Sequence, residues 1–273
     1  MKRLHLFETH DQAWCPAAIR DAETDYLQFI VTWSRPYAAI LPKLADSLQR
    51  AGARHVLDLC SGAGGPWPWL QPRLAERGAA VTVRLSDRFP NGGRQDPVND
   101  ESPPAIRYHP LPVEATEVPE TLHGFRTLFS SFHHLRPEQA AALLADTVRR
   151  REGIAIFEGS HRSARGLLLG LLVPLMVLVF VPFIRPFRWS RLLWTYLVPV
   201  VPLDCGFAWV VSCLRTYTVR ELREMTERLG PAEYDWDIGE IPIPASPIPI
   251  TYLIGLPRRA PGLAEPPAHT SPG

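Results

Sequence analysis

Two short apolar runs, one ending in a glycine-rich turn and the other in an acid, constrain the fold of this chain most. Residues 56–59 have the composition of a buried strand and lead into the turn CSGAGG at residues 60–65. Residues 81–85 are a second such run, and Asp87 follows it. Glycines let a backbone approach a ligand closely, and an acid after the next strand can accept hydrogen bonds from ribose hydroxyls. The pattern therefore predicts an α/β sheet that binds a nucleoside at one edge.

The glycine turn has the form D-x-C-x-G-x-G, beginning with Asp58, and not the G-x-G-x-x-G of a pyrophosphate-binding loop. It resembles the first motif of the class I methyltransferases that use S-adenosylmethionine (SAM). Cys60 stands where that family has its first loop glycine. Another nucleotide-binding α/β protein remains an alternative. The resemblance implies SAM as the cofactor and assigns to it Asp58, Cys60, Ser61, Gly62, Gly64 and, as the ribose-binding acid, Asp87.

Strands and helices alternate along the chain, as in a doubly wound α/β domain. Strands are predicted at residues 56–59, 81–85, 106–109, 125–130, 154–158, 234–241 and 250–256, the last two as an antiparallel pair. Helices are predicted at residues 21–33, 37–51, 69–77, 137–148 and from the capping box Thr218–Glu221 to residue 229. A loop rich in Pro, Gly and Asp occupies residues 90–104. The alternation alone predicts an α/β fold, and the resemblance implies a Rossmann-like sheet of seven strands with a terminal hairpin.

A long apolar stretch follows the fifth predicted strand. Residues 166–184 carry no charge and approach the roughly 20 residues that a bilayer-spanning helix needs. A second apolar arm extends from residue 192 to 214, but prolines in both arms argue against two straight spanning helices. Membrane contact through residues 166–214 is the favoured interpretation, and a buried cap over the active site is the alternative. Either predicts a small hydrophobic acceptor.

These features divide the chain into five parts. Residues 1–53 are interpreted as an N-terminal helical lid, 54–161 as the SAM-binding core and 162–214 as the apolar insertion. Residues 215–257 complete the methyltransferase domain, and 258–273, rich in Pro, Gly and Ala, are predicted to be disordered.

Candidate site residues follow the ends of the later strands, because ligands bind outside the carboxyl ends of the strands in such sheets. Val113 and Glu114 resemble the segment of the family that contacts adenine, and Ser131 is also assigned to the cofactor. The sequence SSFHHL resembles the segment after strand four in small-molecule methyltransferases. His133, the first choice, or His134 would take a proton from the acceptor, although a purely structural role is equally open. The residues predicted to contact the acceptor are His10, Trp14, Tyr26, His161 and Arg215.

Composition narrows the class of function. A formal net charge of +1 provides no general field for nucleic acid, and the chain lacks the (D/N)PPY motif of enzymes that methylate exocyclic amines of bases. The four cysteines show no C-x-x-C spacing, so reduced thiols are expected, and no metal ligand set is predicted. The first residues show no sustained apolar core, which predicts no secretory signal and a cytoplasmic location, at the inner face of the membrane if the insertion binds there.

The function that these residues and the resemblance predict is SAM-dependent methyl transfer to a small hydrophobic acceptor by in-line displacement. O- or C-methylation is favoured. Two alternatives stay open: a non-catalytic, membrane-associated protein that keeps the SAM fold, and an NAD(P)-dependent oxidoreductase. The second is disfavoured by the order of the glycine loop and by the lack of a Tyr-x-x-x-Lys pair, since Lys2 and Lys43 are the only lysines.

Overall fold

A computed structural model describes residues 1–12, 14–90, 105–230, 234–244 and 246–258. In these ranges the chain forms one sheet in the order β3-β2-β1-β4-β5-β7-β6. The first five strands are parallel, and β7 lies antiparallel between β5 and β6. The predicted seven strands and terminal hairpin are confirmed. The strands are β1 His55–Leu59, β2 Thr82–Ser86, β3 Ile106–Tyr108, β4 Phe125–Phe129, β5 Ile154–Glu158, β6 Tyr234–Ile241 and β7 Ile250–Pro257.

The centre of the sheet is buried on both faces, as parallel strands covered by helices require. All five residues of β5 are buried, and so are four of the five in β1. The register sets Asp58 in β1 opposite Thr127 in β4. Two hydrophobic clusters, one on each face, hold the covering helices. The parallel order brings the carboxyl ends of β1, β2, β4 and β5 to the same edge, where the candidate residues lie.

Five helices surround the sheet much as the sequence predicts. They are α1 Ala17–Ser34, α2 Leu41–Ala51, α3 Trp67–Glu76, α4 Pro137–Arg150 and α9 Val219–Glu227. The capping box at Thr218 and Glu221 is present. The single helix predicted at 37–51 is wrong in its first turn. Pro36–Ile40 form a 3-10 turn and α2 begins at Leu41, because Pro36 and Pro42 lack the amide that a continuous α-helix would use.

The predicted apolar insertion is a series of short helices. These are α5 Ala164–Gly170, α6 Val173–Phe180, α7 Trp189–Leu192 and α8 Val200–Arg215, with a 3-10 turn at Val181–Phe183 and a π-turn at Leu193–Leu197. Pro174 lies in the first turn of α6 and Pro199 caps α8. No single helix in the described residues has the length and hydropathy to cross a bilayer. Two bent pairs satisfy that test together, with bends of 40° between α5 and α6 and 77° before α8.

One face of the insertion packs on α1. Tyr26 and Ala22 of α1 share a buried cluster with Val177, Val181 and Val201 of the insertion. Beside this cluster the buried Arg191 of α7 forms an ion pair with the buried Asp25 of α1. The insertion is therefore fixed against the N-terminal helix. The predictions for the loop at 90–104, apart from Pro90, and for the tail, apart from Arg258, lie outside the described residues.

Candidate active site

The glycine loop and Asp87 meet at the edge of the sheet. The backbone amide of Gly62 donates a hydrogen bond to Asp87 Oδ2 at 2.8 Å. The Tyr108 hydroxyl donates to the carbonyl of Gly62, which connects the loop to β3. Asp87 Oδ1 also accepts a hydrogen bond from the Phe89 amide at 2.8 Å. The acid predicted to bind ribose thus lies directly against the loop predicted to hold the cofactor.

The loop depends on left-handed backbone conformations. Gly62 has φ +53° and Gly64 φ +102°. These angles cost glycine little. A Cβ added to Gly62 would lie 3.8 Å from Thr24 Cγ2 of α1, so α1 covers this part of the loop. Cys60 adopts φ +55° with a side chain present. The residue that replaces the family's first loop glycine therefore occupies a strained position, and glycine would avoid the strain.

Asp58 lies in β1, directly before the glycine loop, and holds the start of the loop. Its side chain is buried, and Thr127 Oγ1 donates to its Oδ1 at 2.6 Å. The hydroxyls of Ser61 and Ser86 both donate to its backbone carbonyl, at 2.9 and 2.8 Å. Burial raises the pKa of Asp58 to about 6, against the hydrogen bonds that favour the ionised form. Asp58 fixes the start of the loop through contacts within the protein.

The segment after β3 lies beside Asp87. Val113 is buried, and its amide donates to the carbonyl of Asp87 at 2.9 Å. Glu114, predicted to contact adenine, is half exposed and pairs with Arg88 at 2.8 Å. Ser131, after β4, is buried, and its hydroxyl oxygen has no hydrogen-bond partner. The structure therefore brings Val113 to the loop and Asp87, and leaves Glu114 at the surface next to them.

His133 is held by Glu158 at the end of β5. Its Nδ1 lies 2.6 Å from Glu158 Oε2, and because a carboxylate only accepts, Nδ1 is the donor. The Phe132 amide donates to the other oxygen of Glu158 at 2.7 Å. His133 Nε2 is buried and has no hydrogen-bond partner. Burial opposes the protonated form, but the charge and hydrogen bond of Glu158 outweigh burial and raise the pKa of His133 above its usual value. This is the geometry of an imidazole oriented by a carboxylate, with its second nitrogen available.

A network of ionisable side chains, which includes His134, lies next to His133. We call it the N-terminal polar network, and its members are Glu8, His10, Asp11, Glu23, His134 and Arg215. Glu8 is fully buried, and its Oε2 lies 3.1 Å from His10 Nε2. Arg215 Nη1 lies 2.9 Å from Asp11 Oδ2 and 3.3 Å from Glu8 Oε1. His134 Nδ1 lies 3.0 Å from Asp11 Oδ1. Two predicted acceptor residues, His10 and Arg215, thus share one network with His134.

The charged groups of this network and their burial shift the pKa values of its members. Burial opposes ionisation of Glu8, but the neighbouring histidines lower its pKa to about 2. Burial also opposes the charged form of His10, yet Glu23 and Glu8 raise its pKa to about 10. Burial raises the pKa of Glu23 to about 7. Ligand atoms of Glu8, His10 and His134 lie within 4.8 Å of one another, a spacing that could hold a metal ion. Arg215 already places a permanent cation against Glu8, so we interpret the group as an ion-pair network.

The other predicted acceptor residues lie apart from this group. Tyr26 is buried in the seam between α1 and the insertion. Trp14 is two-thirds exposed, and His161 Nε2 lies 3.2 Å from Glu240 near the end of β6. Sequence reasoning missed Thr127 and Tyr108, which hold Asp58 and the loop. Aligning the ends of the parallel strands would have revealed Thr127, because it lies opposite Asp58 in the register.

The sheet, with five parallel strands and an antiparallel β7 between β5 and β6, agrees with the seven-stranded sheet that the resemblance to class I SAM-dependent methyltransferases implies. No protein-family model and no curated protein sequence matches the chain. Among solved structures, it is similar to the plantazolicin methyltransferase BpumL in complex with SAH, at 10% identity and TM-score 0.48, covering 88% of this chain and 98% of that one.

Human N-acetylserotonin methyltransferase in complex with SAM is similar at 13% identity and TM-score 0.46, over 86% of this chain and 56% of that one. A putative Zn-dependent alcohol dehydrogenase from Rhodobacter sphaeroides is similar at 13% identity and TM-score 0.48, over 89% and 98%. Likenesses of this kind concern the fold and leave reaction and substrate open. The proposals for the reaction and the substrate are argued from the residues of the site.

Proposed function

We propose that the protein is a SAM-dependent methyltransferase whose acceptor is a small hydrophobic molecule. The observation that carries the proposal is the hydrogen bond from the Gly62 amide to Asp87 at 2.8 Å. It joins a loop with left-handed glycines to the acid that follows the neighbouring strand β2, at the edge where α/β sheets bind their ligands. No other group of the described residues combines a glycine loop with an acid in this way.

The residues fit SAM in two respects. Gly62 and Gly64 leave backbone surface without side chains beside Asp87, where an adenosine could approach. The Ser131 hydroxyl, at the end of β4, is buried without a partner and could serve a bound ligand. Asp87 would accept hydrogen bonds from the ribose hydroxyls, and Val113 would lie against the adenine. The assignments of Asp58, Cys60, Ser61 and Glu114 to the cofactor are part of the same proposal.

SAM, when bound, supplies a methyl group that its sulfonium already activates. The protein then has to align the acceptor, exclude water and take a proton from a hydroxyl or an acidic carbon. We assign the last task to His133, because Glu158 holds Nδ1 and leaves the buried Nε2 without a partner. The N-terminal polar network, with His10, His134 and Arg215, would close the acceptor side of the site. Roles for Trp14, Tyr26 and His161 in acceptor binding belong to the same proposal.

The proposal includes a hydrophobic acceptor and a place of action at the cytoplasmic face of a membrane. Its support is the position of the insertion, which begins at Ala164, six residues after Glu158. O- or C-methylation is favoured because His133 would serve as a base for either. An apolar wall next to the site favours acceptors that leave water readily.

Calorimetric titration with SAM tests the cofactor site. Asp87→Ala should weaken binding about 100-fold, since hydrogen bonds to a charged acceptor contribute about 1.5–3 kcal/mol. Asp46→Ala, at an exposed position on α2, is the matched control and should bind like the wild type. SAM affinity that is equal in wild type and Asp87→Ala would contradict the site.

Transfer from labelled SAM into a lipid extract tests the reaction. Label in an organic-soluble product is expected, and SAM binding without any transfer would support the non-catalytic alternative instead. His133→Ala should lower kcat about 100-fold or more with SAM affinity unchanged. Unchanged kcat at saturating acceptor would demote His133 to a residue that lines the site.

The pH profile provides a second test of His133. Its ring faces Glu158, Glu8, Arg215 and the ring of His134, whose centroid lies 4.3 Å away at a tilt of 32°. Because Glu158 raises the pKa of His133, the neutral base forms only above the usual histidine range, and kcat/KM should rise with pH there. Glu158→Gln removes the stabilising charge, so the rising limb should move to lower pH. A limb that does not move would exclude His133 as the titrating base.

A further inference from the structure

The insertion carries most of the exposed apolar surface of the protein. Of the 22 large apolar side chains that are exposed in the described residues, 14 lie between Leu168 and Phe207. The most exposed are Leu171 at 74%, Trp189 at 79% and Leu197 at 76%. Exposed apolar patches of this extent are rare in monomeric soluble proteins and mark surfaces that contact another apolar phase. We call these 14 side chains, together with the exposed Leu4, Leu6 and Phe7 of the N-terminal segment, the apolar surface.

The N-terminal segment extends the apolar surface. Leu4, Leu6 and Phe7 are all exposed, although the next residue, Glu8, is fully buried in the polar network. The Phe7 ring lies 5.7 Å from the ring of Phe207 on α8. The Leu4 amide donates to the carbonyl of Leu214, which fixes the segment along the end of α8. Two separate parts of the chain therefore form one continuous apolar surface.

The charges around this surface are of one sign. Residues 159–203 contain five arginines and no acidic residue. Three of the five form ion pairs within the protein: Arg191 with Asp25, Arg162 with Glu221, and Arg188 with Asp21 at 3.6 Å. Arg165 and Arg185 remain exposed next to the apolar side chains. Trp189 and Tyr196 add the amphipathic rings that favour a membrane interface.

We propose that the apolar surface seats the protein in the plane of an anionic lipid bilayer, with Arg165 and Arg185 on the headgroups. An in-plane seat follows from the packing: α6 and α8 turn one face to α1 and the other outward, as interfacial helices do. A second copy of this chain would bring the same unopposed arginines together, whereas anionic headgroups match them. This inference deepens the membrane location given under the proposed function and does not require the proposed reaction.

The seat also explains how a hydrophobic acceptor reaches the site. Phe7 on the apolar surface is followed directly by Glu8, whose Oε2 lies 3.7 Å from His134 Nδ1. On the other side, α5 begins six residues after Glu158, which holds His133. Both ends of the apolar surface thus join the candidate active site, and an acceptor dissolved in the bilayer would arrive beside the histidines.

Flotation of the full chain with lipid vesicles tests the seat. The wild type should float with vesicles that contain phosphatidylglycerol, and much less with phosphatidylcholine alone. The triple variant Leu171→Gln, Trp189→Gln, Leu197→Gln should lose binding at least tenfold with its circular dichroism unchanged, because all three side chains are exposed. Leu111→Gln, at 64% exposure outside the apolar surface, is the matched control and should float like the wild type.

The cationic rim is tested separately. Arg165→Gln with Arg185→Gln should weaken binding to the anionic vesicles about 25-fold, since each cation near such a surface contributes about fivefold. Arg107→Gln, on the far edge strand β3, should have no effect. Quenching of Trp189, measured as the difference between wild type and Trp189→Phe, should be stronger with lipids brominated near the headgroup than near the chain ends.

Three outcomes would overturn the inference. Wild type that does not float with either vesicle excludes the seat. Wild type that sediments as a dimer, and a triple variant that sediments as a monomer, would assign the apolar surface to a second copy of the chain. Stronger quenching near the chain ends would replace the in-plane seat by a deeper one. Flotation requires neither SAM nor acceptor, so its failure is distinct from failure of the proposed reaction.

Discussion

β5 and α6 have similarly apolar sequences, IAIFE and VPLMVLVF, and lie in opposite surroundings. Every residue of β5 is buried, whereas Val177 is the only buried residue of α6. In β5 the neighbouring strands and the helices on both faces cover the side chains. In α6 only the side toward α1 and α8 is covered. Apolar composition indicates that a segment tends to be removed from water. The contrast between β5 and α6 shows that composition does not indicate what covers the segment.

The strongest way to break this comparison is a matched pair of truncations. Ile156→Ala in β5 should lower the free energy of unfolding by about 3–4 kcal/mol, because it leaves a cavity in a closed core. Leu175→Ala in α6, where the side chain is 59% exposed, should change it by less than about 0.5 kcal/mol. Urea unfolding followed by circular dichroism measures both. Similar losses at the two positions would show that α6 is covered in solution.

The second test concerns the seam that joins the insertion to the domain. Arg191 is buried, pairs with Asp25 and donates to the carbonyl of Ile184 at 3.1 Å. Arg191→Met should cost about 3 kcal/mol, because it leaves the buried carboxylate of Asp25 without its nearest cation. Arg188, whose Nη1 lies 3.9 Å from Asp25, offers partial compensation.

Arg188→Met is the control for the seam and should cost less than about 1 kcal/mol, as expected for a half-exposed ion pair. The two variants are compared by thermal unfolding. A loss with Arg191→Met no larger than with Arg188→Met would mean that the insertion is held by apolar packing alone.

The third test concerns Asp58 in the sheet, which accepts a hydrogen bond from the Thr127 hydroxyl and forms no ion pair within the described residues. Its pKa of about 6 lies above the value of an unfolded chain, so the native state binds the proton more tightly. Its contribution to stability is therefore largest at low pH and is lost as pH rises from about 4 to about 6. The loss is about 2–3 kcal/mol.

Asp58→Asn cannot titrate, so the stability of wild type relative to this variant should fall across that range and stay constant above it. Unfolding in urea at a series of pH values measures this difference in stability. Glu8 and Asp11, whose pKa values are lowered, affect stability in the opposite direction. Their contributions are the same in both proteins and cancel in the difference. A difference that does not change with pH would mean that Asp58 is ionised at every pH tested.

The sequence could predict the sheet because each strand is a local pattern whose partners follow from the order of the chain. The capping box at Thr218 and the edge that carries Asp87 and His133 were predictable for the same reason. The bends between the helices of the insertion were harder to predict. Pro174 and Pro199 indicate where a helix starts or stops, but they do not indicate the angle between successive helices.

The N-terminal polar network was the least predictable part of the candidate site. Glu8 and Arg215 are 207 positions apart, and Nη1 of the arginine lies 3.3 Å from the carboxylate only because α8 returns the chain to the N-terminal segment. No local spacing encodes such a contact. Tyr26, predicted to contact the acceptor, is buried in the seam with the insertion, and its place there also depends on a contact between distant parts of the chain.

The smallest expected effect is at Cys60, where the loop departs from the family pattern. Cys60 and Ser130 both have positive φ, +55° and +45°. A side chain in this conformation costs about 1–2 kcal/mol, and glycine avoids it but loses about 0.5–1 kcal/mol of unfolded-state entropy. Cys60→Gly should therefore stabilise the fold by less than about 1 kcal/mol, and any change in its SAM affinity reports the proposed contact of the Cys60 side chain with the cofactor.

Ser130→Gly is the matched substitution and should be destabilising, by about 1 kcal/mol, because the Ser130 hydroxyl bonds to Tyr37 at 2.7 Å and accepts from the Gly159 amide at 2.9 Å. Thermal unfolding and calorimetry with SAM compare the two variants. If Cys60→Gly were as destabilising as Ser130→Gly, packing of the Cys60 side chain against the core would outweigh backbone strain. Packing of the Cys60 side chain would then explain why this chain has cysteine where the family has glycine, in contrast to the exposed apolar side chains of the insertion.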